Sequence, residues 1–106
     1  MKLTGWSVSS LDPSNFEITA DFKDGKIAGK SAVNSYSGPY KTGPQNSFGA
    51  GPLSGTLMAG EEAAMRAESM YTTLLGQASS YRYSSTTLTL FDANGNESLI
   101  FENAGK

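Results

Sequence analysis

The chain has 106 residues, a net charge of −2, 38% hydrophobic and 17% charged residues, which fits one domain built on one modest core. It contains neither Cys nor His, and this removes disulfides, zinc sites made from those residues, Cys nucleophiles and the Ser-His-Asp triad. Its 8 Lys and Arg form no cluster, which excludes a nucleic-acid surface and disfavours an anionic membrane, and no apolar run approaches the roughly 18 residues that cross a bilayer.

The N-terminus, Met1 to Trp6, lacks the apolar core of a signal peptide. A cell-envelope or secreted location would require a leader already removed; otherwise the expected place is the cytoplasm. Leu3 to Ser9 reads as a strand in which Trp6 and Val8 share a face and Leu3 does not, with Gly5 marking a bulge. Asp12 to Asn15 reads as a turn. Phe16 to Lys23 alternates without a fault, with Phe16, Ile18, Ala20 and Phe22 on one face, the pattern of a half-buried antiparallel strand. Asp24-Gly25 then predicts a type I′ hairpin.

Lys26 onward is expected to return as one strand through Gly29 to Tyr40. Two-residue spacing puts Asn34, Tyr36, Gly38 and Tyr40 on one face of it. The stretch from Gly38 to Gly60 carries Pro39, Pro44 and Pro52. Proline donates no ladder bond, so short strands near Tyr40 and Phe48, a Thr42–Asn46 turn and a sheet edge are expected here. A further extended segment, Ser54 to Met58, leads to the helix.

Glu61 to Leu75 is the one convincing helix. Two acids stand in its first turn, good helix formers follow, and Gly76 fits a C-terminal stop. Ala64, Ala67, Tyr71, Leu74 and Leu75 form the apolar stripe, interrupted by Glu68. The remainder reads as a three-strand meander with paired positions Tyr81/Tyr83, Leu88/Leu90 and Leu99/Phe101, and a second I′ turn at Asn94-Gly95. One helix cannot cover two sheets. The predicted fold is therefore α+β, mostly antiparallel β, a single domain over 1–106: about eight strands in a curved or barrel-like sheet with the helix plugging one end.

Two motifs fail on detail. Asp24 to Ser31 resembles a phosphate loop but has Asp where the first Gly is required, on a hairpin return and not a strand-to-helix turn. Asp92 to Glu97 alternates oxygen ligands but lacks the spacing and closing Glu of a calcium loop, and a plain hairpin explains it better. Glu68 is weighed as a buried acceptor for a Tyr hydroxyl or strand N–H groups, as a polar anchor at the mouth of a ligand cavity, and last as an acid/base catalyst without a partner carboxylate. Asn34 reads as a buried brace or a ligand-facing amide. Tyr36, Tyr40, Tyr71, Tyr81, Tyr83 and Trp6 could cluster around it, as core packing or as an apolar groove.

With these residues laid out, the chain resembles the META domain, the HslJ-like family of heat-shock relatives. The likeness rests on Trp6; on Gly29, Asn34, Tyr36, Gly38 and Tyr40; on Thr56, Met58 and Ala59 followed by Ala64, Met65, Glu68, Tyr71, Leu74 and Leu75; and on Tyr81 with Leu88, Leu90, Asp92 and Gly95. Many relatives carry Cys before the Asn and after the Met-Ala pair; here Val33 and Gly60 stand there, so a relative's redox role does not transfer. The resemblance implies a β-rich fold with one helix and supplies no reaction. The expectation is a non-enzymatic, stress- or envelope-related interaction module without cofactor or metal, monomeric, whose partner is an unidentified protein or an apolar small molecule. The alternative is a carrier holding a lipid or peptide between sheet and helix. Asn34, Tyr36, Tyr40, Glu68 and Tyr71 are the candidate ligand or structural polar site.

Overall fold

The computed structural model describes residues 1–7, 15–56, 58–84 and 86–103. The expected pairing of Val8 with Trp6 and most of the Asp12–Asn15 turn lie outside them. Among the described residues nine strands follow the chain: β1 Lys2–Trp6, β2 Asp21–Lys23, β3 Lys26–Lys30, β4 Ser35–Gly43, β5 Ser47–Ala50, β6 Ser54–Gly55, β7 Ser80–Ser84, β8 Thr87–Phe91 and β9 Glu97–Glu102. One helix, α1 Glu62–Gln77, lies between β6 and β7. All pairings are antiparallel, in the order β1-β9-β8-β7-β5-β4-β3-β2, with β6 added to β4. The α+β curved-sheet expectation holds. Among the described residues no helix is long and apolar enough to cross a membrane.

The sheet is not a closed barrel. Among the described residues β1 meets the segment leading into β2 at an isolated bridge, Lys2 with Thr19, supported by bonds from Leu3 N–H to the Ile18 carbonyl and from Ala20 N–H to the Met1 carbonyl, both 2.9 Å. The faultless alternation from Phe16 to Lys23 accordingly forms a ladder only over β2. Residues Ile18 to Ala20 are instead stitched between β1 and β3, with Thr19 N–H bonded to the Lys30 carbonyl. Ile18 and Ala20 are fully buried as the alternation requires. Gly29 permits this crossing, because a Cβ there would lie 2.2 Å from the Thr19 carbonyl oxygen. The bulge expected at Gly5 is present: the β1–β9 register shifts between Leu3 and Gly5, which turns Leu3 into the core opposite Phe101.

Asp24 and Gly25 both take positive φ, 54° and 80°, as a type I′ turn demands. The return arm is not one strand. Chain direction reverses between Lys30 and Ser35, which are paired, so β3 and β4 form a second hairpin. Ala32 takes φ 94° in that turn, and the Ser31 N–H and hydroxyl both bond the Asn34 carbonyl. No Gly or Pro marks the reversal, which is why the sequence reads through it.

The edge expected in the Pro-rich region is confined to the short β6, which among the described residues pairs with β4 alone. β4 is nine residues long and lies inside the sheet, between β3 and the successive neighbours β5 and β6. The Pro39 carbonyl accepts from Gly51 N–H at 2.8 Å, where the chain passes from β5 to β6. The Pro39 nitrogen faces the same side, at a point where no ladder bond is demanded.

The three-strand meander is present, and its register sets Tyr81 opposite Leu90, Tyr83 opposite Leu88, Leu88 opposite Phe101 and Leu90 opposite Leu99. Its second turn is wider than type I′. Only Gly95 has positive φ, and the Asp92 carboxylate closes the loop by accepting from Asn94 and Asn96 N–H at 2.9 and 3.0 Å. Helix α1 buries Ala67, Tyr71 and Leu75, with Tyr71 edge-on to Phe101 and Tyr36 in the sheet. Gly76 stays helical, and the Ala78 N–H ends the helix on the Leu75 carbonyl.

Candidate binding site

Glu68 projects from the middle of α1 onto the β3–β4 turn. Its Oε1 accepts from the Ser31 hydroxyl (2.9 Å), Val33 N–H (3.2 Å) and Asn34 N–H (2.8 Å); Oε2 accepts from the Asn34 side-chain amide (2.8 Å). The positive φ of Ala32 turns successive N–H groups toward one point, and the carboxylate sits there. Burial pushes the Glu68 carboxyl up, but the bonds from Asn34, Ser31 and Val33 outweigh it and hold it below its ordinary value of 4.5.

Asn34 spends its whole hydrogen-bonding capacity here. Its amide donates also to the Met58 carbonyl (3.2 Å), and its Oδ1 accepts from the Thr56 hydroxyl and Met58 N–H, both at 2.7 Å. Helix, turn and the approach to the helix are thus tied by two side chains. A polar recess of about 250 Å³ lies beside them, between α1 and the β4–β6 pair.

Tyr36 and Tyr71 lie deeper and belong to the core, 6% and 0% exposed. The Tyr36 hydroxyl donates to the Thr19 carbonyl (2.8 Å) and is bonded to the Tyr71 hydroxyl, which must be the donor of that pair. Burial holds both phenols above their ordinary value of 10.0, so both remain neutral.

Tyr40 is separate. It stacks on Phe48, and Phe22 meets it edge-on at 5.2 Å between ring centres. These three rings, with Tyr81, Tyr83, Leu88 and Leu90, line an open cavity of about 730 Å³. Met1, Asp21, Lys23, Thr42 and Asn103 complete its lining, and no residue of α1 contributes. The helix therefore fills one part of the concave face and leaves an aromatic cup in another.

The five residues singled out in the sequence thus fall into three places: Asn34 and Glu68 in the polar knot, Tyr36 and Tyr71 in the core, Tyr40 in the cup. The aromatic cluster imagined around Asn34 does not form, since Tyr81 and Tyr83 line the cup and Trp6 packs half-buried against the core. Phe22 and Phe48 escaped notice as cup residues. Their alternation marks an inward face, but which inward residues meet the helix and which meet space depends on where the helix lies.

The model of the META domain family matches residues 1–105. The chain belongs to that family. Two solved structures share the fold of this META domain. One is a DUF4847 family protein from Bacteroides vulgatus, with TM-score 0.59 and 15% identity over 82% of this chain and 59% of that one. The other is a protein from Burkholderia xenovorans solved by NMR, with TM-score 0.61 and 24% identity over 76% of this chain and 57% of that one. The META domain spans less than two thirds of either neighbour's length. No curated protein matches it. Val33 and Gly60 are adjacent in this META domain: a Cβ on Gly60 would lie 3.6 Å from the Val33 Cβ.

Proposed function

We propose that this META domain is a non-enzymatic binding module and that the aromatic cup is its apolar ligand seat. The supporting observation is the cup itself: about 730 Å³, within the range of small-molecule sites, and lined chiefly by aromatic and aliphatic side chains. Phe48, Leu88 and Leu90 at its floor are buried, whereas Phe22, Tyr40 and Tyr81 are half-buried and Tyr83 is exposed, so its rim holds apolar surface that an occupant would cover. The seat differs from the one the carrier reading placed between sheet and helix, because Tyr36 and Tyr71 fill that space. Glu68 lends no support to a catalytic reading. One of its oxygens already takes three donors and the other holds the Asn34 amide. A stress- or envelope-related setting rests on family membership alone.

The test is titration with the apolar dye anilinonaphthalene sulfonate. Saturable binding at one site is expected, weakened about fivefold by Tyr83→Ser, in line with the ~1 kcal/mol that one aromatic contact contributes. Thr42→Trp, which fills the cup from an exposed position, should weaken it as well. Equal binding by wild type and both variants would remove the cup as the seat.

A further inference from the structure

The cup lies at the end of the sheet away from the Glu68 brace. In the order β9-β8-β7-β5-β4-β3-β2 every neighbour is antiparallel, so β9, β7, β4 and β2 run the same way and end at the same end of the sheet. The turn that Glu68 holds precedes β4 and is therefore at the opposite end. Four lining residues stand at the shared C-terminal ends: Lys23 closes β2, Thr42 and Tyr83 are next to last in β4 and β7, and Asn103 follows β9. Lys23, Thr42 and Tyr83 are exposed, whereas Phe48, Leu88 and Leu90 are buried. The mouth is thus at these strand ends and the floor lies inward. Its inward-facing groups are polar and uncharged. Alternation sets Thr42 on the face of Tyr40, Tyr83 on that of Tyr81 and Asn103 on that of the buried Phe101. Among the described residues the two hydroxyls and the Asn103 side-chain amide bond nothing in the protein. Asp21 and Lys23 flank Phe22, whose ring meets Tyr40 and Phe48, so their side chains leave from the outer face. The Met1 ammonium is held by the Ala20 carbonyl at 3.1 Å and the Asp21 carboxylate at 3.3 Å.

We propose that the cup takes an uncharged amphiphile, with its apolar body on the floor of Phe48, Leu88 and Leu90 and a hydroxyl- or amide-bearing head bonded at the mouth by Thr42, Tyr83 and Asn103. The inference rests on the cup being the binding seat and names its ligand class. The layering selects the amphiphile: an apolar floor below a few convergent polar groups orients a ligand with one end of each kind. A wholly apolar ligand filling the cup would cover those groups without bonding them, and a covered polar group left unpaired is costly. The absence of charge on the inward side selects the head. A charged head would give up water for a rim with no inward counter-charge. Hydroxyls and an amide each donate and accept, and a head with the same chemistry matches them in both senses.

The test is titration calorimetry of the whole domain with ligands that differ only in the head on a chain of the same length, each kept below its micellar concentration. Octyl glucoside and monooctanoylglycerol are uncharged, octanoate is an anion and octyltrimethylammonium a cation. Both uncharged ligands should bind about tenfold more tightly than either ion, the scale of one or two hydrogen bonds. Whichever of the two binds more tightly identifies the head as sugar-like or glycerol-like. Thr42→Val and Asn103→Ala should each weaken the uncharged ligands by about threefold, the loss of part of a hydrogen bond's worth, and leave the ions unchanged. Dye binding together with equal affinity for charged and uncharged heads would overturn the uncharged head and leave the apolar seat standing. Tightest binding of octanoate would assign the head to Lys23 and overturn the proposal. Failed binding of the dye and of every octyl ligand would remove the seat and this inference with it.

Discussion

Glu68 ties the helix to the sheet, because four donors of the β3–β4 turn converge on it. Ser31 and Asn34 are 2% and 4% exposed, so water cannot replace a lost acceptor without opening the turn. Glu68→Ala should destabilise the domain by about 2 kcal/mol, the order expected when buried donors are stranded, read as a shift of the denaturation midpoint; an unchanged midpoint would remove the brace. Its pKa gives the sign of the acid response. A carboxyl held below its ordinary 4.5 in the folded chain contributes stability that is full above the unfolded value and is lost as pH falls below it. Between about pH 5 and pH 3 the wild type should therefore lose stability more steeply than Glu68→Gln, and parallel curves would assign acid sensitivity to other carboxylates.

The elements show where local chemistry suffices and where it does not. The Asp24-Gly25 turn follows from two residues and needs nothing else. Asp92, by contrast, closes a five-residue loop that the Asn-Gly pair alone does not describe, and Asp92→Ala should cost about 1 kcal/mol through loss of two side-chain to backbone bonds. Gly29 is needed for closeness and not for φ. Gly29→Ala would press a methyl into the Thr19 carbonyl, which a Cβ would approach to 2.2 Å, and should cost about 2–3 kcal/mol as an overpacked strand crossing. A thermal midpoint within error of wild type would show that residues 18–20 can move off β3. Val33 and Gly60 offer the opposite case. Their Cβ separation of 3.6 Å falls inside the disulfide range, so the double substitution Val33→Cys and Gly60→Cys should form a bond on oxidation. The crosslink spans a loop whose closure is worth up to about 3.5 kcal/mol, and the check is the midpoint with and without reductant.

The molecule as a whole is held unevenly. β8 is paired along its full length on both sides, and its Leu90, with Leu99 and Phe101 of the neighbouring β9, is fully buried. The β5–β7 junction has one register pair, and the β1–β2 junction has one bridge. Native-state hydrogen exchange should therefore find the slowest amides in β8 and β9, and sub-global opening at the two seams at lower free energy. Uniform protection around the sheet would contradict that gradient.

Much of the frame was legible from residues alone. Period-two alternation placed Ile18, Ala20, Leu88, Leu90, Leu99 and Phe101 inward, the Gly5 bulge explained Leu3, and the helical stripe found Ala67, Tyr71 and Leu75. These follow from side-chain periodicity and turn chemistry, which act within a few residues. Only the tertiary structure revealed that the Gly29–Tyr40 stretch reverses direction. That turn is built by Glu68, 34 positions after Asn34, in place of Gly or Pro. Nor could the sequence separate Tyr36, sealed against Tyr71, from Tyr40, left facing the cup. Both sit on the same face of one strand. Their fates diverge because a single helix covers only part of a curved sheet, and where it stops is fixed by packing between segments far apart in the chain.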